Sequence, residues 1–170
     1  MSSISPQISV LMPVYNAERF VAEAVQSILS QTFGDFEFII IDDGSSDGSL
    51  EILRRFERAD SRIRLSSRPN TGYTVALNEM LAMASGQFVA RMDADDVAMP
   101  QRLQKQVDYL CAHPNCVVVG CCSCHRPKPI ENFENETVVG FFLTSFLVQM
   151  FGQIIGIVNT HLVDFKTIFR

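Results

Sequence analysis

The sequence predicts an α/β domain built on a doubly wound, mostly parallel sheet with helices on both faces. Three observations predict it. Apolar runs of strand length alternate with segments of helical period between Ile8 and Cys121, the rhythm of right-handed βαβ crossovers. The run at residues 36–41 is apolar on both faces apart from Glu37, as a strand covered on both sides must be. Clusters of Asp, Asn, Ser and Gly follow the strands directly, where turns belong.

Each element has its own signal. Ile8 to Met12 read as the first strand, ended by Pro13, and Asn16 is placed to cap a helix over residues 17–31. There Val21, Ala24, Val25, Ile28 and Leu29 recur at helical spacing while Glu18, Arg19, Glu23 and Gln26 face away. Gly34 and Asp35 turn the chain into the second strand. The run Asp42-Asp43-Gly44-Ser45-Ser46-Asp47-Gly48 is a loop, and a helix with Leu50, Leu53 and Phe56 on one side leads to a third strand at residues 63–65. After the turn Arg68-Pro69-Asn70-Thr71-Gly72, a third helix carries Val75, Ala76, Leu77, Met80, Leu81 and Ala84 and closes at Gly86. Residues 88–92 form the fourth strand and run into Asp93-Ala94-Asp95-Asp96. Pro100 opens a helix with Leu103, Val107 and Leu110 on its apolar face, and residues 117–121 are a fifth strand.

Composition narrows the function classes. With 170 residues and 47% hydrophobic content the chain can bury one sizeable core, and its net charge of −5 argues against nucleic acid as the main partner, which needs a basic face. No basic region followed by an apolar stretch occurs in residues 1–7, so a cytoplasmic start is expected. Five cysteines, an odd number, lie between Cys111 and Cys124, which points to reduced thiols. Cys121, Cys122, Cys124 and His125 lack the separated ligand pairs of a zinc site.

The chemistry gathers at one edge. Ligands of open parallel sheets bind beyond the carboxyl ends of the strands. Pro13, Tyr15 and Asn16 follow the first strand, Asp42 and Asp43 the second, residues 68–72 the third and residues 93–96 the fourth. Taken alone, residues 42–47 read as a capped turn, and a lone Asp-x-Asp is a weak signal. The combination is stronger, because chance loop acids need not follow successive strands. Carboxylates converging there repel one another unless a cation sits among them, so Asp93 and Asp95 are expected to hold Mg²⁺ or Mn²⁺ against a diphosphate. Asp96 is expected to orient water or loop backbone. A P-loop and a dinucleotide-binding Gly-x-Gly-x-x-Gly are both missing.

The residues Ile8-Ser9-Val10-Leu11-Met12-Pro13-Val14-Tyr15-Asn16-Ala17, Ser27-Ile28-Leu29-Ser30-Gln31-Thr32-Phe33 and Ile41-Asp42-Asp43-Gly44-Ser45-Ser46-Asp47-Gly48-Ser49 resemble the opening of family 2 glycosyltransferases. So do Asn70-Thr71-Gly72, Ala76-Leu77-Asn78 and Ala90-Arg91-Met92-Asp93-Ala94-Asp95-Asp96, all in order between Ile8 and Gly120. The resemblance implies a GT-A, Rossmann-like fold. It also implies transfer, with inversion and metal dependence, of a sugar from a nucleotide donor, most commonly a UDP-sugar, to a hydroxyl acceptor such as a glycan or a lipid-linked sugar. Pro13, Val14 and Tyr15 would line the nucleotide pocket, with Glu18 near the base or ribose. Asp43 would hydrogen-bond the base with Asp42 beside it, and Asn70 and Gly72 would border the sugar-nucleotide. Asp93, Ala94 and Asp95 match the diphosphate and metal motif.

Residues 1–122 therefore read as a nucleotide-sugar-binding domain and residues 123–170 as an irregular apolar tail. Such glycosyltransferases use an Asp or Glu after the fifth strand as general base. Glu131, Glu134, Glu136 and Asp164 match no such context, and the catalytic residue stays unassigned. The expectation is a chain truncated or altered after about Gly120; the alternative is a short tail that completes the fold. A rival function follows from the first, namely a catalytically inert nucleotide-sugar or metal-binding module. No charged residue occurs between Glu136 and Asp164. Residues 138–158 could cross a core of roughly 30 Å at about 1.5 Å per residue. Thr144, Ser145, Gln149 and Gln153 favour instead a buried or interfacial segment, through which the chain would associate with itself or with the inner face of the membrane.

Overall fold

The computed structural model describes residues 5–120 and, as strands, residues 139–141 and 156–159. Four strands, β1 (Ile8–Val14), β2 (Phe36–Asp42), β3 (Ile63–Ser67) and β4 (Phe88–Arg91), alternate with α1 (Val21–Leu29), α2 (Ser49–Ala59), α3 (Tyr73–Met83) and α4 (Arg102–Ala112). Then follow β5 (Val118–Gly120), β6 (Val139–Phe141) and β7 (Gly156–Asn159). The sheet order is β3-β2-β1-β4-β7-β5-β6. β1 pairs in parallel with β2 and β4, and β2 with β3, so that Ile8 stands opposite both Phe36 and Phe88.

Side-chain alternation along β1 sorts the core into two layers. Ile8, Val10 and Met12, with Phe38 and Ile40 of β2 and Phe88 and Ala90 of β4, pack against Val21, Val25 and Ile28 of α1, Leu53 of α2 and Leu103 and Val107 of α4. On the opposite face Leu11, Ile39, Ile41 and Val89 meet Ala76 and Met80 of α3. All seven residues of β1 are buried. Each large apolar side chain removed from water on these faces contributes about 1.5–3 kcal/mol, which makes the central strands the rigid base of their terminal loops.

Several boundaries differ from the sequence expectation for identifiable reasons. β1 does not stop at Pro13 but runs to Val14. Leu11 O accepts from Met92 N and Val14 O accepts from Asp43 N, so backbone polar groups of odd residues face β4 and those of even residues face β2. The N–H that Pro13 lacks would point past the last residue of β4, where no ladder bond is required. Asn16 does not cap α1. It sits in the left-handed region with φ 49, its side chain accepts from Ser46 N, and α1 begins only at Val21 after a turn closed by Ala17 O. α3 ends at Met83, before Gly86. Gly86 instead lets two backbones touch, since a Cβ there would lie 2.6 Å from Ser9 N.

The fifth strand stands one place further from β4 than a simple parallel series would put it. β7 lies between β4 and β5 and is antiparallel to both, while β6 pairs with β5 at the edge. Two short strands are thus drawn from the apolar tail, whose lack of periodicity concealed them. The rest of residues 121–170, with the expected cysteine cluster beyond Cys116, lies outside the described residues. Among the described residues no helix is long and apolar enough to cross a membrane.

Candidate functional site

Parallel pairing brings the carboxyl ends of β1, β2, β3 and β4 to one edge, and the loops there are locked together by their own polar side chains. Ser45 Oγ accepts from Asn16 N at 2.9 Å, Ser49 Oγ from Ala17 N at 2.9 Å, and Asp47 Oδ2 from Glu18 N at 3.0 Å. In the reverse direction Asn16 Oδ1 accepts from Ser46 N and Glu18 Oε2 from Gly48 N. The other oxygen of Asp47 takes both Ser49 N and Ser49 Oγ. The hydroxyl of Ser49 heads the forces that hold the Asp47 carboxyl below its ordinary range, outweighing the opposing desolvation. The Ser- and Asp-rich run after β2 is thus the acceptor set for the orphan backbone donors after β1.

At the end of β2, Asp42 and Asp43 are nearly inaccessible, 1% and 3% exposed. Asp42 Oδ2 accepts from Ser67 Oγ at 3.0 Å, and its Oδ1 has no hydrogen-bond donor. Asp43 organises the loop after β3. Its carboxylate accepts from Thr71 N at 3.1 Å and Gly72 N at 2.9 Å. Arg68 Nη2 lies 3.0 Å from Asp43 Oδ1 as an ion pair rather than an aligned hydrogen bond, and Arg68 Nη1 donates to Glu79. Gly44, at φ 75, allows this approach, because a Cβ there would stand 2.6 Å from Asn70 N.

The acidic loop after β4 is held from three sides. Arg91, buried on the α3 face of the sheet, donates from Nη2 to both oxygens of Asp93 at 2.7 Å. Its guanidinium lies 5.3 Å from the centre of the Tyr73 ring, and Tyr73 Oη donates to Asp93 Oδ1 at 3.4 Å. Burial first, then the Asp93 charge, pushes the Tyr73 phenol up to about 12 against the opposing influence of Arg91, so it stays a donor at neutral pH. Arg102 of α4 grips the strand end from below, donating to Arg91 O at 2.7 Å.

On the exit side, motif residues at the end of α1 and just after it close over the chain. Ser27 Oγ accepts from Ala98 N, Gln31 Nε2 donates to Met99 O at 2.7 Å, and Gln31 Oε1 accepts from Leu103 N at 3.0 Å. Thr32 donates through N and Oγ1 to Pro100 O.

Within this bracket Asp95 is exposed and Asp96 half-buried. Burial, followed by the charges of Asp93 and Asp95, raises the Asp96 carboxyl above its usual value despite Arg102 and Arg91. Carboxylates gathered in one loop are the kind of oxygen ligand a hard cation takes. No group of three or more such side chains among the described residues is arranged to hold an ion unaided. Remaining ligands would come from phosphate oxygens and water, as Mg²⁺ sites commonly require.

The structure brings the predicted residues to two sides of one edge. Asp42, Asp43, Asn70 and Gly72 lie at the ends of β2 and β3; Asp93, Ala94 and Asp95 follow β4. Pro13 and Val14 are buried at the end of β1, whereas the Tyr15 ring is 55% exposed above it. Glu18 is engaged with Gly48 N. Sequence reasoning gave no role to Arg68, Tyr73, Arg91, Gln31 or Arg102. Arg91 had a signal: it stands two residues before Asp93 at the end of an apolar strand, hence on the same face, and a charge there needs a partner.

The profile of the family described as glycosyl transferase family 2 matches residues 9–165. The chain belongs to this family. Among its relatives, EpsE of Bacillus subtilis (strain 168), which carries the name of a glycosyltransferase, is 43% identical over 117 residues, covering 68% of this chain and 42% of EpsE. S. aureus TarS 1-349 in complex with UDP superposes with a TM-score of 0.69 at 25% identity, covering 92% of this chain and 47% of that one. The mannosyltransferase PcManGT from Pyrobaculum calidifontis, in complex with GDP-Man and Mn²⁺, gives 0.65 at 26% identity, covering 72% and 37%. The expected GT-A fold is thereby established. The chain spans less than half the length of each of these relatives.

Proposed function

We propose that this family 2 chain binds a nucleotide-diphosphate sugar, a UDP-sugar foremost, and transfers the sugar with inversion to a hydroxyl acceptor in a reaction dependent on Mg²⁺ or Mn²⁺. The observation that carries the reading is the rigid apposition, at the carboxyl edge of β1, β2 and β4, of the Asp43 cradle and the bracketed acidic loop. That similar structures hold UDP or GDP-Man with Mn²⁺ supports the same ligand class here.

The buried Asp43 carboxylate is an acceptor, and the imide N–H of uracil is a donor of matching sense. Tyr15 offers an exposed ring for the base to lie against. Asn70 and Gly72 border the same space. Asp93 and Asp95 would hold the cation, which supplies charge compensation to the diphosphate as the nucleotide departs. Arg91 and Arg102 hold Asp93 and the loop's backbone at the end of β4 before any ligand arrives.

The test is release of UDP from UDP-sugars by the purified chain, with and without Mn²⁺, alongside UDP binding. Metal-dependent release supports the enzyme. The rival reading, an inert binding module, draws on the short span relative to the relatives, and saturable UDP binding without turnover would select it. Absence of binding for any nucleotide sugar with Mn²⁺ sinks both.

A further inference from the structure

The two ends of the cleft are joined by one short run of chain. Asp43 accepts the backbone donors of Thr71 and Gly72. The next residue, Tyr73, opens α3 with its hydroxyl on Asp93 and its ring beneath the Arg91 guanidinium, while Arg91 engages both oxygens of Asp93. The contacts therefore run unbroken from the Asp43 carboxylate through residues 71–73 to the acidic loop. We propose that Tyr73 and Arg91 are positioning residues that hold Asp93 and couple the Asp43 end of the cleft to its cation end. The proposal rests on the reading of the cleft as a nucleotide-sugar site.

The physical argument is competition for acceptor oxygens. A base that donates to Asp43 shares an oxygen now accepting Thr71 N or Gly72 N, and the segment leading into Tyr73 responds because it is tied there. A cation that reaches Asp93 shares oxygens already engaged by Arg91. Movement of the Tyr73 and Arg91 pair lowers the cost of that second event, so each ligand tightens the other by the same factor, as linkage requires. Lysine cannot replace Arg91 in this role. Its ammonium could neutralise Asp93, but it sits on a flexible stem and lacks the flat guanidinium whose seat against the Tyr73 ring aims Nη2 at both oxygens.

The experiment measures UDP affinity of the full chain by titration calorimetry with no metal and with saturating Mn²⁺, for wild type, Tyr73→Phe and Arg91→Lys. Tyr73→Phe removes only a hydroxyl from a residue that is 39% exposed and lies outside both core clusters. In the wild type, Mn²⁺ tightens UDP by about tenfold, within the usual range of coupling between sites. In each variant the factor falls below about threefold, while metal-free UDP affinity stays within about twofold of wild type. A wild-type factor in either variant overturns the pair as proposed. Equal weakening with and without Mn²⁺ in Tyr73→Phe also overturns it, by making Tyr73 a direct nucleotide contact. Failure of the wild type to bind UDP at all is a separate result, which removes the functional reading before any variant is compared.

Discussion

Replacing Gln31 with alanine tests whether the segment just after α1, far in sequence from the acidic motif, holds that loop in place. Gln31 is 7% exposed, and its amide makes bonds to Ser27 O at 3.0 Å, Met99 O at 2.7 Å and Leu103 N at 3.0 Å. Leu103 lies in the first turn of α4, where backbone donors lack intrahelical partners, and Gln101 at the helix start supplies no side-chain cap. At about 1 kcal/mol for each hydrogen bond, the direct loss is roughly 3 kcal/mol. Ordering the side chain on folding is no longer a cost in the variant, which returns up to about 1.5–2 kcal/mol. Leaving Leu103 N buried without an acceptor costs about 1–3 kcal/mol and cancels much of that return. The expected net destabilisation is about 2–4 kcal/mol, read as a shift in urea midpoint at constant m-value. Because residues 98–103 carry the exit of the acidic loop, Mn²⁺-dependent UDP affinity is expected to fall by about tenfold, close to 1.4 kcal/mol. A loss of stability below about 0.5 kcal/mol would refute the clamp, and full loss of stability with unchanged metal-dependent affinity would refute its link to the loop.

Asp95→Ala is expected to abolish the Mn²⁺-dependent part of UDP binding while thermal stability stays within about 0.5 kcal/mol, because the side chain is exposed; unchanged affinity counts against the metal assignment. Gly44→Ala forces a Cβ to within 2.6 Å of Asn70 N at a positive φ, and a loss of at least about 1–3 kcal/mol in denaturant unfolding is expected. Glu37 is desolvated by burial, but hydrogen bonds from Ser9, Ser85 and Arg64 more than offset this and hold its carboxyl below the ordinary value of 4.5. Its folded value is therefore below its unfolded one, so its stabilisation is complete above pH about 4.5 and is lost as pH falls through the folded value. Glu37→Gln should lower stability at neutral pH and flatten the acid limb of the urea midpoint; a limb of unchanged steepness would contradict the assignment. Asp60, held low by its hydrogen bonds and charge pairing with Arg62, titrates in the same direction and keeps the limb from vanishing.

The regular part of the fold was legible because its signals are local. The runs that became β1 and β2 are apolar on both faces, and Val21, Val25 and Ile28 fall on one side of a helix whatever their partners. The placement of acids after β2 and β4 was legible for the same reason, since it follows from chain order once the strands are parallel. What escaped depends on partners distant in sequence. Gln31 reads as one more polar residue near a helix end until residues 98–103 are folded against it. Asn16 has the composition of a helix cap, yet the donor it satisfies belongs to Ser46. Arg91 and Tyr73 meet Asp93 only because α3 packs on the odd face of the sheet. β6 and β7 were hidden because strands of three and four residues are too short to establish a period.

The position of β7 bears on how the molecule is made. β4, which delivers the acidic loop, is covered on one side by β1 soon after it is synthesised, but its other hydrogen-bonding side waits for residues 156–159. Until those residues leave the ribosome, the nascent chain presents open amides and carbonyls beside its most acidic turn, an invitation to pair with a neighbouring polypeptide. Resistance to aggregation is thus acquired only once residues 156–159 have emerged and closed that side of β4.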